Sequence, residues 1–240
     1  QCWVVKPPGF DPAKRYPMLT FCQGGPQSQV GQSFSFRWNF HAMASHGYVV
    51  LAPNRRGLPG FGQEWNDAIS GDWGGQAMRD LLAATDDLVT EPWIDARRVA
   101  AVGASFGGYT VYWMMGHAKD RFCAMVAHCG VFNLESMYGA TEELFFVNWD
   151  MGGPYWRNDG LRAMYDEFSP HKFVGWGLML VYLISSLVLT QMGFDHKLYL
   201  YASTPGVPLS EMNEHSHYWI GRAWFQAYWT VFALFLSVLA

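Results

Sequence analysis

The sequence predicts an α/β fold: a mostly parallel, doubly wound sheet with helices on both faces. Three observations carry this. Apolar runs of strand length alternate with segments of helical period. Gly- and Pro-containing loops punctuate that alternation. Between them, the apolar run 99–102 passes directly into Gly103-Ala104-Ser105-Phe106-Gly107, and a helical segment follows at 109–117. Strand, G-x-S-x-G and helix in that order form a nucleophile elbow. The turn is so tight that side chains at Gly103 and Gly107 would collide. It pushes the Ser105 hydroxyl outward and leaves the Phe106 amide at a helix start, where it can face an oxyanion.

Taken in order, residues 2–6 and 18–22 are short strands, with the Pro-rich, polar stretch 7–15 as a turn between them. Gln23-Gly24-Gly25-Pro26-Gln27-Ser28-Gln29 follows the second strand. The backbone amides of Gly24 and Gly25 are unobstructed, so this loop can supply a second oxyanion donor. Residues 38–46 read as a helix and 48–52 as a buried strand, before an extended loop over 54–62. Asp72-Trp73-Gly74-Gly75 leads into a helix over 76–90. Met78, Leu81, Leu82, Leu88 and Val89 share one face of that helix, with Thr85 as its single polar member. Residues 122–126 form the last readable strand, ending near His128-Cys129-Gly130.

The stretch 131–173 is aromatic and irregular. Its aromatics either pack a cap over the sheet or wall an apolar pocket beside the serine. Tyr138, Phe145, Phe146 and Trp149 are the pocket candidates. Cys22 and Cys123 lie in apolar runs and read as buried free thiols. The four cysteines have no metal-ligand spacing, and neither a metal nor a cofactor is expected. A net charge of −4 offers no footprint for nucleic acid. The chain begins Gln-Cys-Trp without an initiator Met or signal-peptide pattern, reads as a piece of something longer, and leaves localisation open.

Several motifs occur in one order: Cys22-Gln23-Gly24-Gly25-Pro26, Asn54-Arg55-Arg56-Gly57, Gly71-Asp72-Trp73-Gly74-Gly75, the elbow, Asn148-Trp149-Asp150 and Ser169-Pro170-His171-Lys172. Residues 1–173 resemble the catalytic domain of the prolyl oligopeptidase family of serine peptidases, especially its dipeptidyl-peptidase and acylaminoacyl-peptidase branches. The resemblance implies an α/β-hydrolase fold and cleavage of short peptide substrates. It makes Ser105 the nucleophile, the Phe106 amide one oxyanion donor, and the loop at Gly24 and Gly25 the source of the other. Some family members use a tyrosine side chain in this loop. Gln23 stands there in this chain, which favours a backbone donor.

A serine hydroxyl needs a base. In this fold an aspartate and a histidine follow the serine in sequence, in loops that the resemblance places after a later strand. Neither is found after residue 173, so the sheet is expected to be truncated before its last two strands. Residues 174–240 change character, with five charged residues in 67 positions. Stretches 174–190 and 224–240 carry no charge, and Trp219, Trp224, Tyr228 and Trp229 are placed like an interfacial aromatic belt. Two transmembrane helices of unrelated origin are expected there, in a segment similar to the membrane part of bacterial ABC-transporter permeases. Asp195, His215 and His217 lack the preceding core strand that a triad requires. With Glu211 the same histidines offer an H-x-H pair without a third supported metal ligand. His41, His46, His117, His128 and His171 read as structural or surface residues. Two readings stay open: a serine peptidase whose triad partners are missing, and a catalytically silent, membrane-anchored fusion.

Overall fold

Alternation of side chains along three strands builds a sheet with two apolar faces. The computed structural model describes residues 1–173. Strands β1 (Cys2–Val5), β2 (Tyr16–Cys22), β3 (Val49–Pro53), β4 (Ile94–Ala104) and β5 (Ala124–His128) lie in the order β1-β3-β2-β4-β5. β1 runs antiparallel to β3, and the other pairs are parallel. Met18, Cys22, Val49, Leu51, Val99 and Ala101 face one way. They meet Leu81 of α3 (Gln76–Val89) and Val111 and Met114 of α4 (Phe106–His117). Phe21, Ala52 and Val102 face the other way, against Val30, Trp38 and Phe40 at the start of α1 (Phe40–Ser45). The period of two therefore places apolar side chains on both faces, as a mostly parallel sheet requires.

Thr85, the polar member of the α3 face, is buried, and its hydroxyl lies 3.1 Å from that of Thr20 on β2. It also donates to the Leu81 carbonyl, so the polar atoms on this face are satisfied within it.

Several boundaries differ from the sequence expectation. β4 begins at Ile94 because Asp95, Ala96, Arg97 and Arg98 continue the strand beyond the core, where their polarity hides it. α1 starts later than expected, because the Asn39 side chain accepts from the Ala42 amide and caps the helix there. The last strand among the described residues starts at Ala124, which leaves Cys123 exposed; of the two thiols expected to be buried, only Cys22 is.

The stretch 131–173 is not irregular. It folds into α5 (Leu134–Ala140), α6 (Leu144–Met151) and α7 (Asp159–Phe168), joining α2 (Gln63–Asp67) and the helices already named. Asn133 and Asn158 cap α5 and α7 with their side chains, while Gly152, at φ 78°, ends α6. α6, Leu-Phe-Phe-Val-Asn-Trp-Asp-Met, is short and apolar nearly all round, so its period is weak in the sequence. Leu134, Tyr138, Val147, Met151, Tyr165 and Phe168 join Ile69, Trp73, Met78, Phe106 and Tyr109 in a further core.

No helix among the described residues is long and apolar enough to cross a membrane. The stretches 174–190 and 224–240, the permease resemblance attached to them and the expected loss of the last strands lie outside the described residues.

Burial holds the Cys22 thiol up at about 12, so it stays protonated at neutral pH. In the native protein iodoacetamide is expected to modify Cys2, Cys123 and Cys129 and to spare Cys22. Peptide mass spectrometry before and after denaturation checks this.

Candidate active site

β4 ends at Ala104 and α4 begins at Phe106, so Ser105 alone makes the turn. Its φ of 57° is left-handed, a conformation that a residue with a side chain holds only when its surroundings impose it. The restraints are visible. The Ser105 amide donates to the His128 carbonyl at 3.0 Å, and its carbonyl accepts from the Tyr109 amide at 2.9 Å. Ser105 is exposed between buried Ala104 and Phe106. A Cβ on Gly103 would lie 2.5 Å from the Gly107 carbonyl oxygen and 2.7 Å from that of Cys22. A Cβ on Gly107 would run into the Cys22 carbonyl itself. The Phe106 amide, first in α4, has no intrahelical acceptor.

The Gly-Gly-Pro loop lies against this turn. A Cβ on Gly24 would sit 3.0 Å from the Ala104 carbonyl oxygen and 3.7 Å from Ser105 Cβ. Gly25 is the next residue, exposed, with a φ of 122° that only glycine adopts freely. The loop is held from behind by Arg55, which is 1 % exposed. Arg55 Nη2 donates to the carbonyls of Gln23 at 3.3 Å and Pro26 at 3.2 Å, and Nη1 donates to that of Arg56 at 2.8 Å. Its guanidinium carbon lies 4.4 Å from the centre of the Phe106 ring. Burial pushes the guanidinium down to about 10, opposed by the Cys22 thiol and the Asp80 carboxylate, and leaves it charged at neutral pH.

Asp150 is the second buried charged residue beside the loop, at 1 % exposure. It accepts from Trp73 Nε1 at 3.1 Å, from Gln27 Nε2 at 3.2 Å and from Ser70 Oγ at 3.5 Å. Burial pushes its carboxyl above the usual aspartate range, and these three hydrogen bonds pull the other way. Trp73 packs edge-on against the Phe106 ring, with centroids 5.0 Å apart.

Gln27, Asn66, Asp67, Ser70, Asp150 and the side chains of Phe145, Phe146 and Trp149 line a cavity of about 410 Å³. Three of the four pocket candidates therefore share one cavity. Tyr138 does not line it. Its α5 position turns the ring into the core against Trp156 and Tyr165, and its hydroxyl donates to Asn148 Oδ1 at 2.9 Å.

Among the described residues, no histidine ring is hydrogen-bonded to the Ser105 hydroxyl. His46 and His117 bond carbonyls of their own helices, and His171 lies near Asn133. His41 is exposed. His128 approaches Ser105 through its backbone, and its ring lies beside Cys129 and Trp38. No group of His, Cys, Asp or Glu among the described residues could hold a metal ion. The sequence had marked the motifs containing Arg55 and Asp150 without assigning either a role. The signal was a charged residue inside a Gly- and aromatic-rich motif, and only the fold shows what each one holds.

The arrangement is an exposed serine on a strained turn, faced by a free helix-start amide and a glycine loop. Comparison with known proteins agrees with it. The model of the prolyl oligopeptidase family matches residues 34–176. The chain belongs to that family of serine peptidases. Over 173 residues it is 57% identical to the dipeptidyl-peptidase 5 of Porphyromonas gingivalis, covering 72% of this chain and 25% of that protein. The dipeptidyl-peptidase 5 of Schizosaccharomyces pombe is 39% identical over 176 residues, again 72% of this chain and 25% of the relative. The chain thus spans about a quarter of the length of these relatives. Among solved structures, the acylaminoacyl peptidase of Pyrococcus horikoshii superposes with a TM-score of 0.63 at 25% identity, over 70% of this chain and 26% of that one. The dipeptidyl peptidase 4 of Porphyromonas gingivalis gives 0.60 at 28% identity, over 72% and 23%. These neighbours support an α/β-hydrolase-like fold for the described residues.

Two outcomes follow from the geometry. Gly107→Ala should lower stability by at least about 1–3 kcal/mol, because the neighbour is rigid backbone. Gly31→Ala, with nothing within 4 Å of its added carbon, should be close to neutral. Urea midpoints compare the two. For Asp150, a carboxyl raised in the folded state adds stability below its unfolded value near 3.8 and loses it as pH rises through the folded value. The stability of wild type relative to Asp150→Asn should therefore grow as pH falls from 7 towards 4, measured by urea unfolding across that range.

Proposed function

We infer that this chain carries the nucleophile-bearing part of a serine peptidase that cleaves short peptides through an acyl-enzyme. The observation that carries this reading is the exposed Ser105 on its strained turn, with Gly24 packed against it. In this reading Ser105 Oγ attacks the scissile carbonyl carbon and the carbonyl π electrons move onto oxygen. The Phe106 amide and an amide of the Gly24–Gly25 loop hold that oxyanion. Collapse of the tetrahedral intermediate expels the amine, which takes up the proton removed from Ser105, and water later releases the acyl group. The proton of Ser105 must go to a base, and no described histidine stands in that place. In this reading the aspartate and histidine of a triad are the missing partners, since no motif after residue 173 supplies them. Phe145, Phe146 and Trp149 supply apolar surface for a peptide side chain in the cavity beside the loop.

A second reading is a silent, membrane-anchored fusion. The uncharged stretches 174–190 and 224–240 favour it. The two readings differ in the reactivity of Ser105. Loss of the base costs roughly 10⁴–10⁶ in kcat relative to a complete triad.

Labelling with a fluorescent organophosphonate separates them. The peptidase reading expects labelling of the native chain that disappears in Ser105→Ala. Folded protein that stays unlabelled favours the silent fusion.

A further inference from the structure

Arg55 is a buried cation for which no carboxylate lies within ion-pair distance among the described residues. Such a residue is costly to keep in the interior, and its hydrogen bonds show what it is doing there. All three go to backbone carbonyls, and two of these belong to the loop facing Ser105.

The Gln23 carbonyl and the Gly24 N–H are the two ends of one planar peptide unit. Among the described residues the one cis bond is Gly25–Pro26, so the Gln23–Gly24 peptide is trans. In a trans peptide the N–H points opposite to the C=O. A group that pins the carbonyl from one side therefore aims the amide to the other. Arg55 pins this carbonyl from the interior, and Gly24 packs on the Ser105 side. A cationic donor on the carbonyl also polarises the unit and makes its N–H a stronger donor. The same guanidinium covers the ring of Phe106, whose amide is the other candidate donor. One side chain thus touches both halves of the candidate oxyanion hole.

We propose that Arg55 is a positioning residue for the oxyanion hole, aiming the Gly24 amide by gripping the Gln23 and Pro26 carbonyls while packing on Phe106. This rests on the peptidase reading for its catalytic consequence. The grip on the loop does not. Lysine has one nitrogen and cannot hold the Gln23 and Pro26 carbonyls and the Arg56 carbonyl together, as Nη2 and Nη1 of the planar fork do.

The test uses the full chain as wild type, Arg55→Met and Arg55→Lys. Three quantities are measured: the rate of phosphonylation of Ser105, the dissociation constant of the dipeptide amide Ala-Ala-NH2, and hydrogen exchange of residues 23–28. Phosphonylation passes through a pentacoordinate phosphorus whose anionic oxygen uses the oxyanion hole, whereas the dipeptide amide is uncharged at its carbonyl and places no anion there. In Arg55→Met, phosphonylation should slow about 10–100-fold, approaching the loss of one oxyanion donor, while dipeptide affinity changes by less than about twofold. Exchange over 23–28 should rise while that of β3 and β4 stays unchanged. Arg55→Lys should fall between Met and wild type, and it serves alone if the Met variant does not fold. Phosphonylation of both variants at the wild-type rate overturns the proposal, as does a parallel loss of dipeptide affinity, which marks general damage. If wild-type Ser105 is itself unreactive, the peptidase reading fails separately. The grip by Arg55 is then decided by exchange alone, and unchanged exchange over 23–28 overturns it.

Discussion

The carbonyl of Cys22 lies where a side chain on Gly103 or Gly107 would have to go. The described fold depends on this backbone-to-backbone contact. It lets α4 start directly above the end of β2, within one residue of the end of β4. Only in that arrangement does Ser105 project alone from the turn, with its amide held by β5 through the His128 carbonyl. Gly108 extends the contact, since a Cβ there would lie 2.6 Å from the same His128 oxygen. Three glycines thus bring one helix onto two strands. The positive φ of Ser105 is tolerated because it is restrained from both sides.

Around that contact, the polar interior is specialised. Arg55 and Asp150 are both 1 % exposed. Burying either charge costs several kcal/mol. Hydrogen bonds to a charged group return about 1.5–3 kcal/mol each, so three per residue offset the cost without producing a large surplus. Neither group is an economical way to stabilise a core. What they share is the loop: Arg55 binds the carbonyls of Gln23 and Pro26, and Asp150 accepts from Gln27. Trp73 and Phe106 fill the space between them. A flexible glycine loop is thereby made rigid by the elements behind it, which is the condition for aiming an amide.

The central strands and the elbow were legible because their physics is local. An apolar run of four or five residues, followed by glycines two positions either side of a serine, allows few conformations. The aromatic stretch was not legible in this way. Tyr138 and Phe145 are similar residues in neighbouring short helices, yet one is buried and the other is 76 % exposed. No local pattern separates them, because the difference lies in which face meets α7 and the Trp73 core. Cys22 and Cys123 make the same point. Both follow apolar residues, but only Cys22 enters the ladder of a central strand.

The sequence by itself determined the turn at Ser105, the alternation that builds the sheet and the family to which the chain belongs, since each depends on residues close together or on motifs in a set order. Only the tertiary structure decided what stands around the serine. The meeting of Arg55 with the Gln23 carbonyl spans 32 positions and that of Asp150 with Gln27 spans 123. Contacts across such separations are set by how strands and helices stack, and no spacing in the chain records them. The same reason sharpens the reading of Ser105: its own turn places it, and the groups that hold the loop packed against it come from elsewhere in the fold.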